Sequence, residues 1–299
     1  MKIIKQKVEK LEQVDFMKQI ELAGRTCYKS ESNMSEDSSE SFVNGLISRG
    51  HYSMLEHGAL YLWIPWENVE GHHDDIFLGF FNDNPYSVFK ETFDGIAITT
   101  NYRVVCEAPA YIQEDVKRYM VEGNIPRKEH EKRLSVRITT DLGLARELTR
   151  HRAFSFAQES TRYCNYSNKD KFEDGVTFII PECFGDIEEG VYTDSVIDLR
   201  SKTKLKSVYC VEKKIEAEFL EGLCRAERLY LYMINSDEHF KPEIARQSLP
   251  LATKTELVMT GFEKDWKAFL DQRLEGKTGR PHPDMVALAK KIKEILTDL

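Results

Sequence analysis

Arg150-His151-Arg152-Ala153-Phe154-Ser155-Phe156-Ala157-Gln158-Glu159-Ser160-Thr161-Arg162-Tyr163 is the stretch that orders the reading of the whole chain. Fixed cations and a titratable imidazole stand there beside hydroxyl, amide and carboxylate groups. Arginine offers a planar fork matched to phosphate or to a ring edge carrying negative charge. Dense forks among such varied polar groups point to an anionic heterocyclic ligand, a nucleotide for example. Ala153, Phe154, Phe156 and Ala157 supply apolar anchors that tie the segment to a core. A solvated, arginine-rich helix end is the plainer alternative, and composition alone favours it.

The totals narrow the classes. With 299 residues the chain can bury one large core or two modest ones. Hydrophobic residues at 41% and charged residues at 31% are ordinary for a soluble globular protein. A net charge of −8 argues against general nucleic-acid binding, so any phosphate must be held by local cations. Cys27, Cys106, Cys164, Cys183, Cys210 and Cys224 form no Cys-x-x-Cys pair, and no metal site is expected. The first residues carry no signal-peptide run and no stretch is long enough to span a bilayer, which suggests a cytoplasmic enzyme with reduced thiols.

Outward from the central stretch, Asp141 is placed to cap a helix carrying Leu144, Ala145 and Leu148, with Val136–Thr140 as a short strand before it. That helix delivers Arg150-His151-Arg152 at its C-terminal end, where the helix dipole favours cations. Glu147 and Arg150, three apart, are spaced for a local ion pair. Upstream, residues 2–8 suggest an edge strand, and Asp15 a helix broken at Gly24. His51-Tyr52-Ser53-Met54-Leu55-Glu56-His57 gathers His51, Ser53 and Glu56 at one end of a turn; a simple hydrogen-bonded turn is the bland reading. His72-His73-Asp74-Asp75 is read as a solvated loop, and 96–105 as a strand. Downstream, a helix is expected over 208–233, its length suited to a subunit contact. Pro242 opens a further helical turn, and 263–273 forms a helix ending in Arg273.

Arg-His-Arg, seven residues and Ser, continuing as Ser-x-Arg-Tyr, resembles the signature of the flavin-dependent thymidylate synthases. The run from His51 to His57 resembles that family's His-x-(Ser/Thr)-x-x-Glu-His segment. Ala245-Arg246 with Leu249-Pro250 resembles its Ala-Arg-x-x-Leu-Pro element, and Phe269-Leu270 with Arg273 its Phe-Leu-x-x-Arg. The likeness covers about residues 15–65 and 135–297, leaving 67–133 as an insertion in a single domain. It implies an α+β fold, a mixed sheet core with long packed helices of the thymidylate synthase-complementing kind, assembled as a homotetramer. It further implies FAD-dependent reductive methylation of dUMP to dTMP, with 5,10-methylenetetrahydrofolate giving the carbon and NADPH the hydride.

On this resemblance Arg273 is the activating residue, holding the uracil ring in an electron-rich form. Glu147, Arg150, Gln158, Glu159, Ser160, Thr161, Arg162, Arg246 and Arg273 would bind dUMP. His51, Ser53, Glu56, Arg150, His151, Arg152, Gln158 and His282 would hold FAD. His151 is expected to stay neutral beside its arginines, and Ser160 to bind rather than to attack. Some positions depart from the family pattern: Glu147 replaces a glutamine, Cys27 a serine, and Phe262 and Ala268 asparagines, which puts flavin affinity in question. A flavin- or nucleotide-binding protein without turnover, and a structural protein whose arginines form a salt-bridge hub, are the competing readings.

Overall fold

The computed structural model describes residues 1–12, 15–69, 72–185, 187–201 and 204–296. In chain order the first half contains β1 (Lys2–Ile4), β2 (Lys7–Leu11), α1 (Phe16–Tyr28), α2 (Ser38–Ser48), β3 (Ala59–Pro65), α3 (His72–Asn82), β4 (Val88–Glu91), β5 (Gly95–Asn101), α4 (Tyr102–Glu107) and α5 (Ala110–Tyr119). There follow β6 (Arg133–Asp141), α6 (Leu142–Leu148), β7 (Ser155–Gln158), β8 (Thr177–Ile179), β9 (Gly190–Thr193), α7 (Val196–Ser201) and β10 (Leu205–Ser207). The last elements are α8 (Lys214–Asn235), α9 (Pro242–Ala245), β11 (Lys254–Phe262), α10 (Glu263–Arg273) and α11 (Pro283–Ile295). Helices and sheets are mixed, an α+β arrangement.

The sheet that positions the site runs β2-β6-β11-β7, with β11 antiparallel to both neighbours. Strand alternation gives it two apolar faces. Val136, Ile138, Leu257 and Met259 meet Leu144, Leu148, Trp266, Phe269 and Leu288 of α6, α10 and α11. Ala157 and Val258 point the other way, toward Leu11 of β2 and Ala23 of α1. Trp266 and Phe269 are essentially water-free, each worth on the order of 2 kcal/mol by apolar burial. A second sheet, β10-β9-β1-β8, packs against α8 through Ile3, Phe178, Leu220 and Leu223. The third, β3-β5-β4, is sealed by α3, α4 and α5 through Phe77, Phe81, Val104, Ile112 and Val116.

Local chemistry explains several departures from the sequence expectations. Asp15 does cap α1, accepting from Met17 N and Lys18 N, yet the helix runs through Gly24 to Tyr28. Gly24 is a packing position: a Cβ there would lie 2.8 Å from the Phe42 ring of α2. The edge strand over 2–8 is two strands, of which β1 is interior to its sheet and β2 is the edge of another. Asn101 ends β5 by capping α4 through Val104 N at 3.2 Å, so 102–107 is helix and not strand. His72 to Asp75 starts α3 and is not a loop; the side chains of His72, His73 and Asp74 lie outside the described residues. The long helix begins only at Lys214, and 208–210 is a separate 3-10 turn. No helix among the described residues is long and apolar enough to cross a membrane.

Candidate functional site

The Asp141 carboxylate caps α6 through Leu144 N at 2.9 Å, and α6 ends where the cationic stretch begins. His151 N closes onto Leu148 O at 3.0 Å, and Phe154 N onto His151 O at 3.1 Å, turning the chain into β7. Residues 155–158 form a strand, registered Phe156 to Met259 and Gln158 to Leu257. Immediately after β11, α10 runs along the same face and carries Arg273 to the end of α6.

There the distant segments meet. Arg273 donates from Nε to His151 Nε2 at 2.8 Å and from Nη1 to Glu147 Oε2 at 3.3 Å. Glu147 therefore pairs with Arg273, and not with Arg150 as its spacing suggested. The His151 ring also stands edge-on to Phe269, with centroids 5.0 Å apart. Burial first and the Arg273 charge second push the His151 pKa down to about 4. The geometry requires the same protonation state, since a nitrogen accepting from a guanidinium N–H must carry a free lone pair. The arginine that keeps His151 neutral is thus Arg273, from another helix. Arg150, Glu147, Arg273 and His282 line one cleft of about 560 Å³. His282 is exposed and caps α11, its Nδ1 accepting from Asp284 N at 3.2 Å. Arg150 and Arg152 are exposed, with no side-chain partner among the described residues.

A second cluster forms where β7 ends. Ser160 N donates to Cys27 O at 2.9 Å, docking the turn on α1. Arg246 Nη1 donates to Thr161 Oγ1 at 3.0 Å, and Arg162 Nε pairs with Glu243 Oε2 at 3.1 Å. Both guanidiniums are exposed, so hydroxyl and cation groups from distant segments face solvent together. Glu159 and Gln158 are differently placed. Glu159 is buried, accepting from Tyr166 OH at 3.1 Å and Lys254 Nζ at 2.8 Å, while Gln158 Nε2 donates to Thr255 Oγ1 at 3.2 Å. Both already serve the framework of the turn.

Sequence reasoning missed Lys254. It lies between Glu159 and Glu256; burial opposes its charge, but the two carboxylates outweigh burial and raise its pKa. Glu256, also held by Lys29, is lowered to about 2: burial pushes it up, and the two lysines more than reverse that. The Lys-Thr-Glu alternation at 254–256 was the available signal for a strand with paired charges on one face. Burial raises the Cys27 thiol to about 11, which favours its protonated form.

The His51–His57 segment is separate from both clusters. It forms a 3-10 turn, Tyr52–His57, on the α1 side of the central sheet, with Met54 against Ala157 and Val258. His51 and Ser53 are exposed; Glu56 Oε1 accepts from Arg103 Nη1 at 2.7 Å. Buried His57 bonds Thr260 Oγ1 at 2.9 Å through Nδ1. Within one chain, then, the His51–Glu56 turn and the Arg150–Arg152 stretch flank opposite faces of the same sheet.

With this geometry in view, comparison with known proteins is direct. Residues 126–299, more than half of the chain, match the family model described as thymidylate synthase complementing protein. A probable flavin-dependent thymidylate synthase of Paramecium bursaria Chlorella virus 1 is 23% identical over 159 residues, covering 53% of this chain. A flavin-dependent thymidylate synthase of Synechocystis sp. (strain ATCC 27184 / PCC 6803 / Kazusa) is 26% identical over 164 residues, again 53% of this chain. The chain spans 65% of the length of each of these curated relatives. Among solved structures, a UMP/dUMP methylase PolB from Streptomyces cacaoi bound with 5-Br dUMP aligns over 100% of this chain and 93% of its own, at 14% identity and a TM-score of 0.43. On the family match the chain belongs to the thymidylate synthase complementing protein family.

Proposed function

We propose that this chain is a flavin-dependent thymidylate synthase, converting dUMP to dTMP with methylenetetrahydrofolate as carbon donor and NADPH as reductant. One observation carries the reading: Arg273 hydrogen-bonds His151 and Glu147, 122 and 126 positions away in sequence, where Arg273 and Glu147 line one cleft. C5 of uracil is a weak nucleophile, and a guanidinium beside N3 and O4 stabilises the anionic ring without giving up a proton. Arg273 is suited to that role because neutral His151 fixes its Nε and Glu147 one Nη, which orients the fork before any ligand arrives. Arg246, Arg162, Thr161 and Ser160 offer the cations and hydroxyls for the nucleotide's phosphate and sugar.

The donor set suits FAD in kind: exposed Arg150 and Arg152 for the diphosphate, neutral His151, and His51 with Ser53 as further hydrogen-bonding groups. When bound, the flavin would pass hydride between NADPH and the one-carbon unit. Because the two flavin-facing groups flank opposite faces of one sheet, a site using both draws on more than one copy of the chain. Exposed Ile215, Leu229 and Tyr232 on α8 support self-association, which we take to a homotetramer. The test is to incubate purified protein with FAD, dUMP, methylenetetrahydrofolate and NADPH, then separate dTMP by chromatography. Flavin uptake with dTMP formed supports the reading; no uptake of FAD refutes it.

A flavin-binding protein without turnover has its own support. Phe262, where the resemblance places an asparagine, is buried with its ring 5.4 Å from the Arg133 guanidinium. Flavin retained without dTMP would favour that reading.

A further inference from the structure

We propose that Arg103, from the 67–133 stretch, is a positioning residue for the flavin-facing turn: it cancels the charge of Glu56 so that the turn accepts an anionic cofactor. This rests on the flavin reading above. The contacts are specific. Arg103 Nη1 holds Glu56 Oε1 at 2.7 Å while its Nε holds Glu107 Oε1 at 2.9 Å. The main chain of Glu56 is held from the same stretch, its carbonyl accepting from Arg133 Nη1 at 2.8 Å. Tyr102 N donates to Gly58 O at 2.9 Å, and Asn124 brackets β3 through Tyr61 N at 3.1 Å and Ala59 O at 2.7 Å. Both polar ends of Glu56 and the exit of its turn are therefore fixed by residues of this one stretch.

The cleft beside Glu56, about 260 Å³, takes its remaining walls from the same stretch: Phe80, Asn84, Tyr86, Asn101 and Glu107. Arg103 is the cation lining it, against the carboxylates of Glu56 and Glu107. Without Arg103 the carboxylates of Glu56 and Glu107 would stand uncompensated in this cleft, Glu56 being close in sequence to His51 and Ser53, and a net negative charge there opposes an anionic ligand. The two bridges are partly exposed, so their loss costs the fold little. Binding and stability are thereby separable.

The experiment compares wild type, Arg103→Gln and Arg103→Lys by FAD titration, following flavin fluorescence quenching, with thermal melts alongside. Charge compensation predicts that Arg103→Gln weakens FAD about tenfold, and that Arg103→Lys, which keeps the charge, stays within about threefold of wild type. Raising salt should narrow the gap between the two variants. Equal affinity for wild type and Arg103→Gln overturns the inference while leaving the flavin reading intact. Arg103→Lys binding no better than Arg103→Gln overturns it as well, and so does a weakening that merely tracks a lowered Tm. A wild-type protein that takes up no FAD overturns the reading and the inference together.

Discussion

The Arg273–His151 bond makes stability depend on pH in a direction that can be worked out beforehand. The His151 pKa falls from the ordinary 6.5 to about 4 in the folded chain. Between those values the unfolded chain binds a proton that the folded chain refuses, so stability is complete above pH 6.5 and declines as pH falls toward 4. At about pH 5 the loss is roughly 1.5 units at 1.36 kcal/mol each, or about 2 kcal/mol. The ring is only partly buried, and solvent screening reduces this to about 1 kcal/mol. Below pH 5 protonation would also set two donors, Arg273 Nε and His151 Nε2, against each other. Buried His57, lowered to about 3 by burial and then by Arg133, and buried His130, also lowered by burial, add slopes of the same sign, so the wild-type curve alone decides nothing. The assay is therefore a difference: urea unfolding of wild type and His151→Gln near pH 7.5 and near pH 5. His151→Gln should lose about 1 kcal/mol less than wild type between the two conditions. Parallel pH dependence of both proteins would refute the neutral, Arg273-bound imidazole.

Other expectations come from the same structure. Arg273→Ala should lower dTMP formation by about 10²–10³-fold while the melting temperature shifts little, because the pair it breaks is partly exposed; the reverse result would mark a salt-bridge hub. Lys254→Met leaves Glu159 and Glu256 facing each other without their shared cation and should cost about 3–5 kcal/mol in denaturant unfolding. Unchanged stability there would mean that the network is not formed in solution. Gly261→Ala puts a Cβ 2.5 Å from the Phe154 ring, itself wedged against Trp266, so a loss of about 1–3 kcal/mol is expected in the same assay.

Much of the scaffold was legible because its signals are local. Asp15 and Asp141 announce helix starts by cap chemistry alone, and the proline at 242 marks a first turn. Gly24 misled because a glycine reads as a breaker unless one knows which side chain crosses it; Phe42 is supplied by another helix. β11 was overlooked, for its run from Leu257 to Phe262 carries no alternation when both faces of a central strand are buried. Pairing partners were out of reach for the same reason. Glu147 has Arg150 three positions away in sequence, yet the fold gives it Arg273. Arg103 and Lys254 drew no notice, since a lone basic residue has meaning only beside the carboxylates that the tertiary structure brings to it.

The position of β11 has a consequence for how the chain matures. As the polypeptide emerges, β2 and β6 can pair early, but β6 and β7 each keep a bare edge until residues 254–262 arrive to fill the gap between them. Such open edges invite pairing with neighbouring nascent chains, and late closure through distant partners is slow. The step that completes the sheet also delivers α10, so Arg273 reaches its place only once those edges are covered. Premature termination before Lys254 would thus yield a sticky fragment rather than a weakened form of the same fold.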